Sequence, residues 1–191
     1  MSQVVFLLEE PSMALLLHQL LPRLFPGLNF LLIKHEGKAD LDRSIPRKLR
    51  AWQDRDVRFV IVRDSDGADC RVVKARLLAL NAAAGRTDVL VRIVCQELEA
   101  WHLGDLSALG EAYGTRIAAS QEASKYRDPD RLGSPSSEVK RLIPAFQKAE
   151  GARRMGLRLD PANNRSTSFR QFCTGVAKFS QTAVDSGQGH G

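Results

Sequence analysis

Apolar residues run consecutively in four short stretches of this chain, and between those stretches they recur every three or four positions. Residues 3–8 (QVVFLL), 29–33, 57–63 and 89–95 form the consecutive runs, which predict strands buried on both faces. Met13, Leu16, Leu17, Leu20, Leu21 and Leu24 keep the i, i+3, i+4, i+7 spacing of an amphipathic helix, with Pro11 suited to its first turn and Pro22 expected to kink it. Ser44 and Pro46 predict the start of a short helix whose Ile45, Leu49 and Trp52 share a face. Val73, Leu77 and Leu80 mark another, closed near Gly85. Strand and helix alternate throughout, so the expected fold is α/β, a mainly parallel sheet with helices on both faces.

The alternation stops near residue 115. Residues 120–137 are polar and turn-rich and read as a loop or mobile segment. A helical pattern returns over residues 138–149, with Val139, Leu142 and Ile143 on one face, and again through Phe169, Phe172, Val176 and Phe179. These shifts divide the chain into an α/β core (1–115), a smaller basic helical extension packed on it (116–180) and a disordered tail (181–191).

Charge sharpens this division. Residues 1–115 balance 15 Lys/Arg against 15 Asp/Glu, whereas residues 116–191 hold 13 against 7, so the whole net charge of +6 lies in residues 116–191. Such asymmetry suits an anionic polymer, DNA or RNA. No apolar run approaches the roughly 20 residues of a membrane helix. The opening MSQVVFLLEE lacks the basic start of a signal peptide, which predicts a cytoplasmic protein without membrane attachment. Cys70, Cys95 and Cys173 are odd in number and far apart, pointing to reduced thiols rather than a disulfide framework or zinc knuckle. The four histidines lack metal-ligand spacing.

In parallel sheets functional groups gather beyond the carboxyl ends of the strands. Here the ends of strands one, three and four carry Glu9/Glu10, Asp64/Asp66 and Glu97/Glu99. Carboxylates meeting at one edge repel unless they share protons or a hard cation, and their oxygens suit Mg²⁺ or Mn²⁺. A pair of such ions supports in-line attack at phosphorus. Plainer roles exist for each group. Glu9 and Glu10 suit a helix start, Asp64 and Asp66 an Asx-type turn, and Asp105 a cap. Trp101 and Leu103 read as core, and His35 as a solvated loop residue beside Glu36 and Lys38, which are placed to reach the edge. Lys125, Arg127 and Arg131 are either phosphate contacts or solvated surface. Arg165, Ser166 and Ser168 read as a helix start that also suits a phosphate.

These residues resemble Toprim domains, found in topoisomerases, primases and overcoming-lysogenisation-defect nucleases. FLLEEPSM is similar to the Toprim segment hhhEGxxE, placing Glu9 on its glutamate, and RDSDGADC resembles its DxD, placing Asp64 and Asp66 there. Over roughly residues 3–180 the chain is more closely similar to a bacterial Toprim-like family of unknown function, through EGKADL, RDSD, CQELEAWHLGD and NRSTSF in that order. The resemblance implies a Rossmann-like fold and a metal-dependent nuclease using Mg²⁺ or Mn²⁺. Glu9, Asp64 and Asp66 would be catalytic and metal-holding, Glu99 a fourth ligand, and Glu10, Asp69 and Glu97 supporting groups, with Lys125, Arg165 and Ser166 toward phosphate. Two departures stand out: Glu10 replaces the Toprim glycine and Met13 its second acid.

Two other functions fit parts of the pattern. VIVRDSDG resembles the DxDG of haloacid-dehalogenase-type phosphatases, with Asp64 as nucleophile, but Ala68 stands where that family has Thr, and the motif ends the third strand instead of the first. The third reading is a non-catalytic partner of nucleic acid or of a separately encoded ATPase, since the chain lacks a GxxxxGK[ST] loop. The oligomeric state is not legible.

Overall fold

A computed structural model describes residues 3–54 and 56–185 of the chain. β1 (Gln3–Leu8), β2 (Phe30–Lys34), β3 (Val57–Asp64) and β4 (Leu90–Val94) form one sheet in the order β2-β1-β3-β4, with every pairing parallel. The consecutive apolar runs of β1 and β3 are explained by burial on both sides, whereas the edge strand β2 is only partly covered. Val4, Phe6, Leu8, Val60 and Val62 enter one hydrophobic cluster, and Val5, Leu7, Phe59 and Ile61 enter another. Each large side chain so removed from water stabilises the fold by about 1.5–3 kcal/mol.

The second cluster is covered by α2 (Lys38–Ala51) and α3 (Cys70–Ala83). The first is covered by α1 (Pro11–Leu24), α4 (Glu99–Leu103), α5 (Leu106–Tyr113), α6 (Pro135–Leu142), α7 (Lys148–Gly156) and α8 (Thr167–Asp185). Pro11 opens α1, and Pro22 lies in its last turn. Met155, Leu159, Phe169 and Phe172 share the cluster that holds Phe6, so the basic extension completes the core. At Gly156, α7 lies so close to α1 that a β-carbon would come within 2.4 Å of the Leu16 carbonyl oxygen.

Three expectations are corrected. α2 begins at Lys38, well before Ser44, because Gly37 takes a positive φ of 90° that turns the chain into it. The helix expected over 138–149 is two, α6 and α7, with Pro144 between them. Finally, α8 extends to Asp185 into the segment expected to be disordered, of which residues 186–191 lie outside the described residues.

The polar segment 120–137 is held by specific bonds instead of lying loose. It winds through three short 3₁₀ turns, with Tyr126 fully buried. Asp130 accepts hydrogen bonds from the Ser166 hydroxyl (2.7 Å), the Ser168 amide (2.7 Å) and the Ser168 hydroxyl (3.1 Å), tying this segment to the start of α8. Ser166 in turn accepts from the Phe169 amide at 3.1 Å, as a helix cap does. Asp130→Ala removes the acceptor shared by three buried donors. It is expected to lower unfolding free energy by about 3 kcal/mol, measured by urea denaturation, with Asp130→Asn recovering part of the loss.

Candidate functional site

β3 and β4 remain paired beyond their last strand residues. Ser65 donates its amide to the Val94 carbonyl (2.9 Å), Asp66 donates to the Gln96 carbonyl (2.9 Å), and the Gln96 amide reaches the Ser65 hydroxyl (2.8 Å). Asp66 (φ 49°) and Gln96 (φ 66°) both adopt the left-handed conformation to achieve this. For residues other than glycine that costs of order 1 kcal/mol or more, and such strain concentrates where side chains must be aimed.

This frame brings the acids of three strands together. The Glu9 carboxylate accepts the Asp64 amide at 3.1 Å, and the Asp64 carboxylate accepts the Leu98 amide at 3.2 Å, one residue before Glu99. Asp64 is only 6% exposed and Glu99 only 1%. Burial, then the charges of Glu10, Glu9 and Glu99, push the Asp64 carboxyl well above its ordinary range. Burial and Asp66 likewise raise Glu9, against the opposing Asp64 amide and Arg63. Glu99 is raised by burial, against the pull of Lys148, and its Oε2 is a buried oxygen with no hydrogen-bond partner.

Lys148, the first residue of α7, points into this cluster. Its Nζ lies 2.8 Å from Glu10. Burial opposes its charge, but the Glu10 hydrogen bond and the charges of Glu99 and Asp64 outweigh it and raise its pKa. Glu10, which also accepts a hydrogen bond from the Ser12 hydroxyl, thus brings its own counter-charge to the place of the Toprim glycine.

The remaining sequence-predicted residues are spread around this centre. Asp66 is 41% exposed at its side chain and pairs with Lys38 at 3.2 Å, so Lys38 does reach the edge. Asp69 caps α3, accepting the Arg71 amide at 2.7 Å. Glu97 accepts the Ser136 amide at 2.8 Å. The three residues expected to contact phosphate have internal partners: Lys125 binds Glu138 (2.7 Å), Arg165 binds Glu122 and the Gln121 carbonyl (2.6 Å each), and Ser166 binds Asp130. His35 is not solvated. It is 4% exposed and its Nδ1 donates to the Leu8 carbonyl at 2.9 Å.

Among the described residues no three His, Cys, Asp or Glu side chains stand ready to grip one metal ion together. The donor set still suits a hard cation, because it is all carboxylate and includes the buried, unpartnered Glu99 oxygen. Holding an ion there requires the carboxylates to turn toward one another, away from the amides and the lysine that now engage them.

Sequence reasoning missed Lys148, which lies on a helix far from any strand end, with no pattern to tie it to Glu10. It also missed His102. This side chain is fully buried with neither ring nitrogen bonded, and burial pushes its pKa down to about 3, so it packs as a neutral ring against Phe146.

A second feature lies between α3, β4 and α8. A groove of about 490 Å³ is lined by Lys74, Arg92, Thr167, Arg170, Thr174 and Lys178, and every charged side chain lining it is cationic. Arg92 lies flat against α8, donating to the Gln171 carbonyl at 3.0 Å. Glycine at position 175 leaves room for this placement, since a β-carbon there would be 2.1 Å from the guanidinium and would push it aside.

The EAWHLGD and NRSTSF stretches meet directly. Asn164 donates to the Trp101 carbonyl at 2.8 Å, Arg165 donates its amide to the Gly104 carbonyl at 2.8 Å, and Gly104 has no side chain to collide with Asn164. Both are therefore framework for the acid edge.

The chain is similar over 95% of its length to the C-terminal region of the Burkholderia pseudomallei OLD protein, 98% of which is covered, at 16% identity and a TM-score of 0.52. The C-terminal region of the Xanthomonas campestris pv. campestris OLD protein aligns over 94% of this chain and 96% of that one, at 14% identity and a TM-score of 0.47. At such identities the first likeness is one of fold, and the fold is Toprim-like α/β. No curated protein matches the sequence. The family described as Domain of unknown function (DUF4276) matches residues 8–177, and the chain belongs to that family.

Proposed function

We propose that this protein is a divalent-metal-dependent phosphodiesterase acting on nucleic acid. The observation that carries the reading is that half-buried Glu9 and buried Asp64 and Glu99, whose carboxyls are all raised, lie beyond the carboxyl ends of three parallel strands. Perturbed acids converging at a strand edge mark a functional site more often than a structural one. Glu9, Asp64 and Asp66 would hold Mg²⁺ or Mn²⁺, with Glu99 as the fourth ligand. When bound, the ion supplies polarisation of a phosphoryl oxygen and an activated water.

The chain's own residues have separate tasks. Lys148 neutralises the acids that face it and keeps Glu10 turned to one side. Arg63, bonded to Asp42 at 2.9 Å and 3.9 Å from Glu9, steadies the first carboxylate. The basic groove along α8, instead of Lys125, Arg165 and Ser166, provides the phosphate-backbone contacts. A phosphoaspartate route through Asp64 has less support, because that carboxylate is nearly buried and already accepts the Leu98 amide.

The test is cleavage of single- and double-stranded DNA and RNA by the purified chain, with Mn²⁺, Mg²⁺ or EDTA. Cleavage is expected only with metal, and Asp64→Asn is expected to reduce it by about 100-fold or more. Cleavage that persists in EDTA, or an Asp64→Asn variant as active as the native chain, would sink the proposal.

A further inference from the structure

Cys70 and Cys95 are far apart in sequence, yet their sulfur atoms are 2.7 Å apart, close enough for one thiol to donate to the other. Their position is specific. Cys70 is the first residue of α3, directly after the loop carrying Asp64, Asp66 and Asp69, and Cys95 directly follows β4, ahead of Glu97 and Glu99. Both are partly exposed, whereas Cys173 is buried in α8. The backbone on each side is fixed by the bonds from Ser65 to Val94 and from Asp66 to Gln96, and the Cys95 amide is donated to the Ser168 hydroxyl at 3.4 Å. The folded frame, more than a mobile side chain, places one sulfur against the other.

We infer that Cys70 and Cys95 are a redox modification site at which a reversible disulfide staples the two acid-bearing loops together. The oxidant is a peroxide. Hydrogen peroxide oxidises the Cys70 sulfur to a sulfenic acid and leaves as water. The Cys95 sulfur then attacks the Cys70 sulfur, the S–S bond forms as the S–OH bond breaks, and a second water leaves. In sum, two thiols and one peroxide become one disulfide and two waters. Cys70 suits the first step because it is partly exposed at the first turn of a 14-residue helix, where a peroxide can reach it. Burial and the neighbouring Cys70 push the Cys95 thiol up, which slows its attack, but its placement 2.7 Å from the Cys70 sulfur offsets that, and its proton leaves with the S–OH oxygen as water. A dithiol reductant reverses the bridge.

Bridge formation is independent of the proposed nuclease chemistry; only its consequence, fixing Asp64 and Asp66 against Glu97 and Glu99, rests on that reading. The test treats the full chain with hydrogen peroxide, blocks free thiols, digests with trypsin without reduction and maps the peptides. Residues 64–71 are expected joined to residues 93–116, with loss of two of the three thiols and full recovery in dithiothreitol. Cys173→Ser is expected to keep that link, and Cys70→Ser and Cys95→Ser each to abolish it. Three thiols surviving peroxide, links between separate chains only, or Cys70 oxidised to sulfinic acid while Cys95 stays free would each overturn the inference.

Discussion

Asp64→Asn is expected to stabilise the metal-free protein at neutral pH and to abolish the rise in Tm that Mg²⁺ or Mn²⁺ gives the native chain. The sign follows from the direction of the shifts. Asp64, Glu9 and Glu99 all have carboxyls raised in the folded state, by burial before any other cause. The folded protein therefore keeps protons that the unfolded chain has released. Stability is full below the ordinary carboxylate range and falls as pH rises from there through the raised values. Lys148 offsets part of this loss without cancelling it. Asparagine removes the Asp64 share while its side-chain oxygen still accepts the Leu98 amide. The expected result in EDTA is a shallower decline of Tm as pH rises above the ordinary carboxylate range.

A cation acts on the same charges in the opposite direction. At about 100 times its Kd, an ion that binds only the folded chain contributes about 2.7 kcal/mol, which for a chain of this size raises Tm by roughly 5–10 °C. Losing a ligand removes that increment. Thermal unfolding of both proteins at several pH values, with EDTA or Mn²⁺, reads out the two effects together. If the variant retains the native pH slope and the full Mn²⁺ shift, Asp64 is neither a buried charge nor a ligand.

What was legible in the sequence is what local pattern dictates. β1 and β3 were readable because both faces are buried, and Glu9, Asp64 and Glu99 because each ends a strand or closely follows one. The early start of α2 was hidden because Leu41 is the single large apolar residue of KADLDR, and the charges around it are satisfied at a distance, Asp42 by Arg63 and Arg76. The order in 120–137 was hidden for the same reason. Tyr126 and Asp130 find their partners at Glu138, Ser166 and Ser168, and polar composition alone reads as solvation. Lys148 and the Cys70–Cys95 pair depend on how strands register and helices pack, which spacing along the chain does not encode.

The largest loss of stability is expected from Trp101→Ala, about 3–5 kcal/mol, or roughly 6–20 °C in Tm. Trp101 is fully buried, with its ring 5.0 Å from Phe169 and 5.2 Å from Phe172, and it joins α4 to α8. Its indole N–H donates to the Ser168 hydroxyl at 2.9 Å, the same hydroxyl that donates to Asp130. Alanine therefore opens a cavity and removes a bond from the network that starts α8. Trp101→Phe separates the two contributions: it fills most of the cavity, and the lost hydrogen bond then accounts for about 1 kcal/mol. Urea denaturation measures both, the midpoint moving at constant m. Glu99 lies two residues before Trp101 on the same short helix, so loosening that helix also exposes the carboxylate and lets its pKa fall back. Trp101→Ala should accordingly weaken the Mn²⁺-induced rise in Tm, while Trp101→Phe keeps it. A chain that lost stability but kept its full metal response in Trp101→Ala would show that Glu99 is held by something other than this packing.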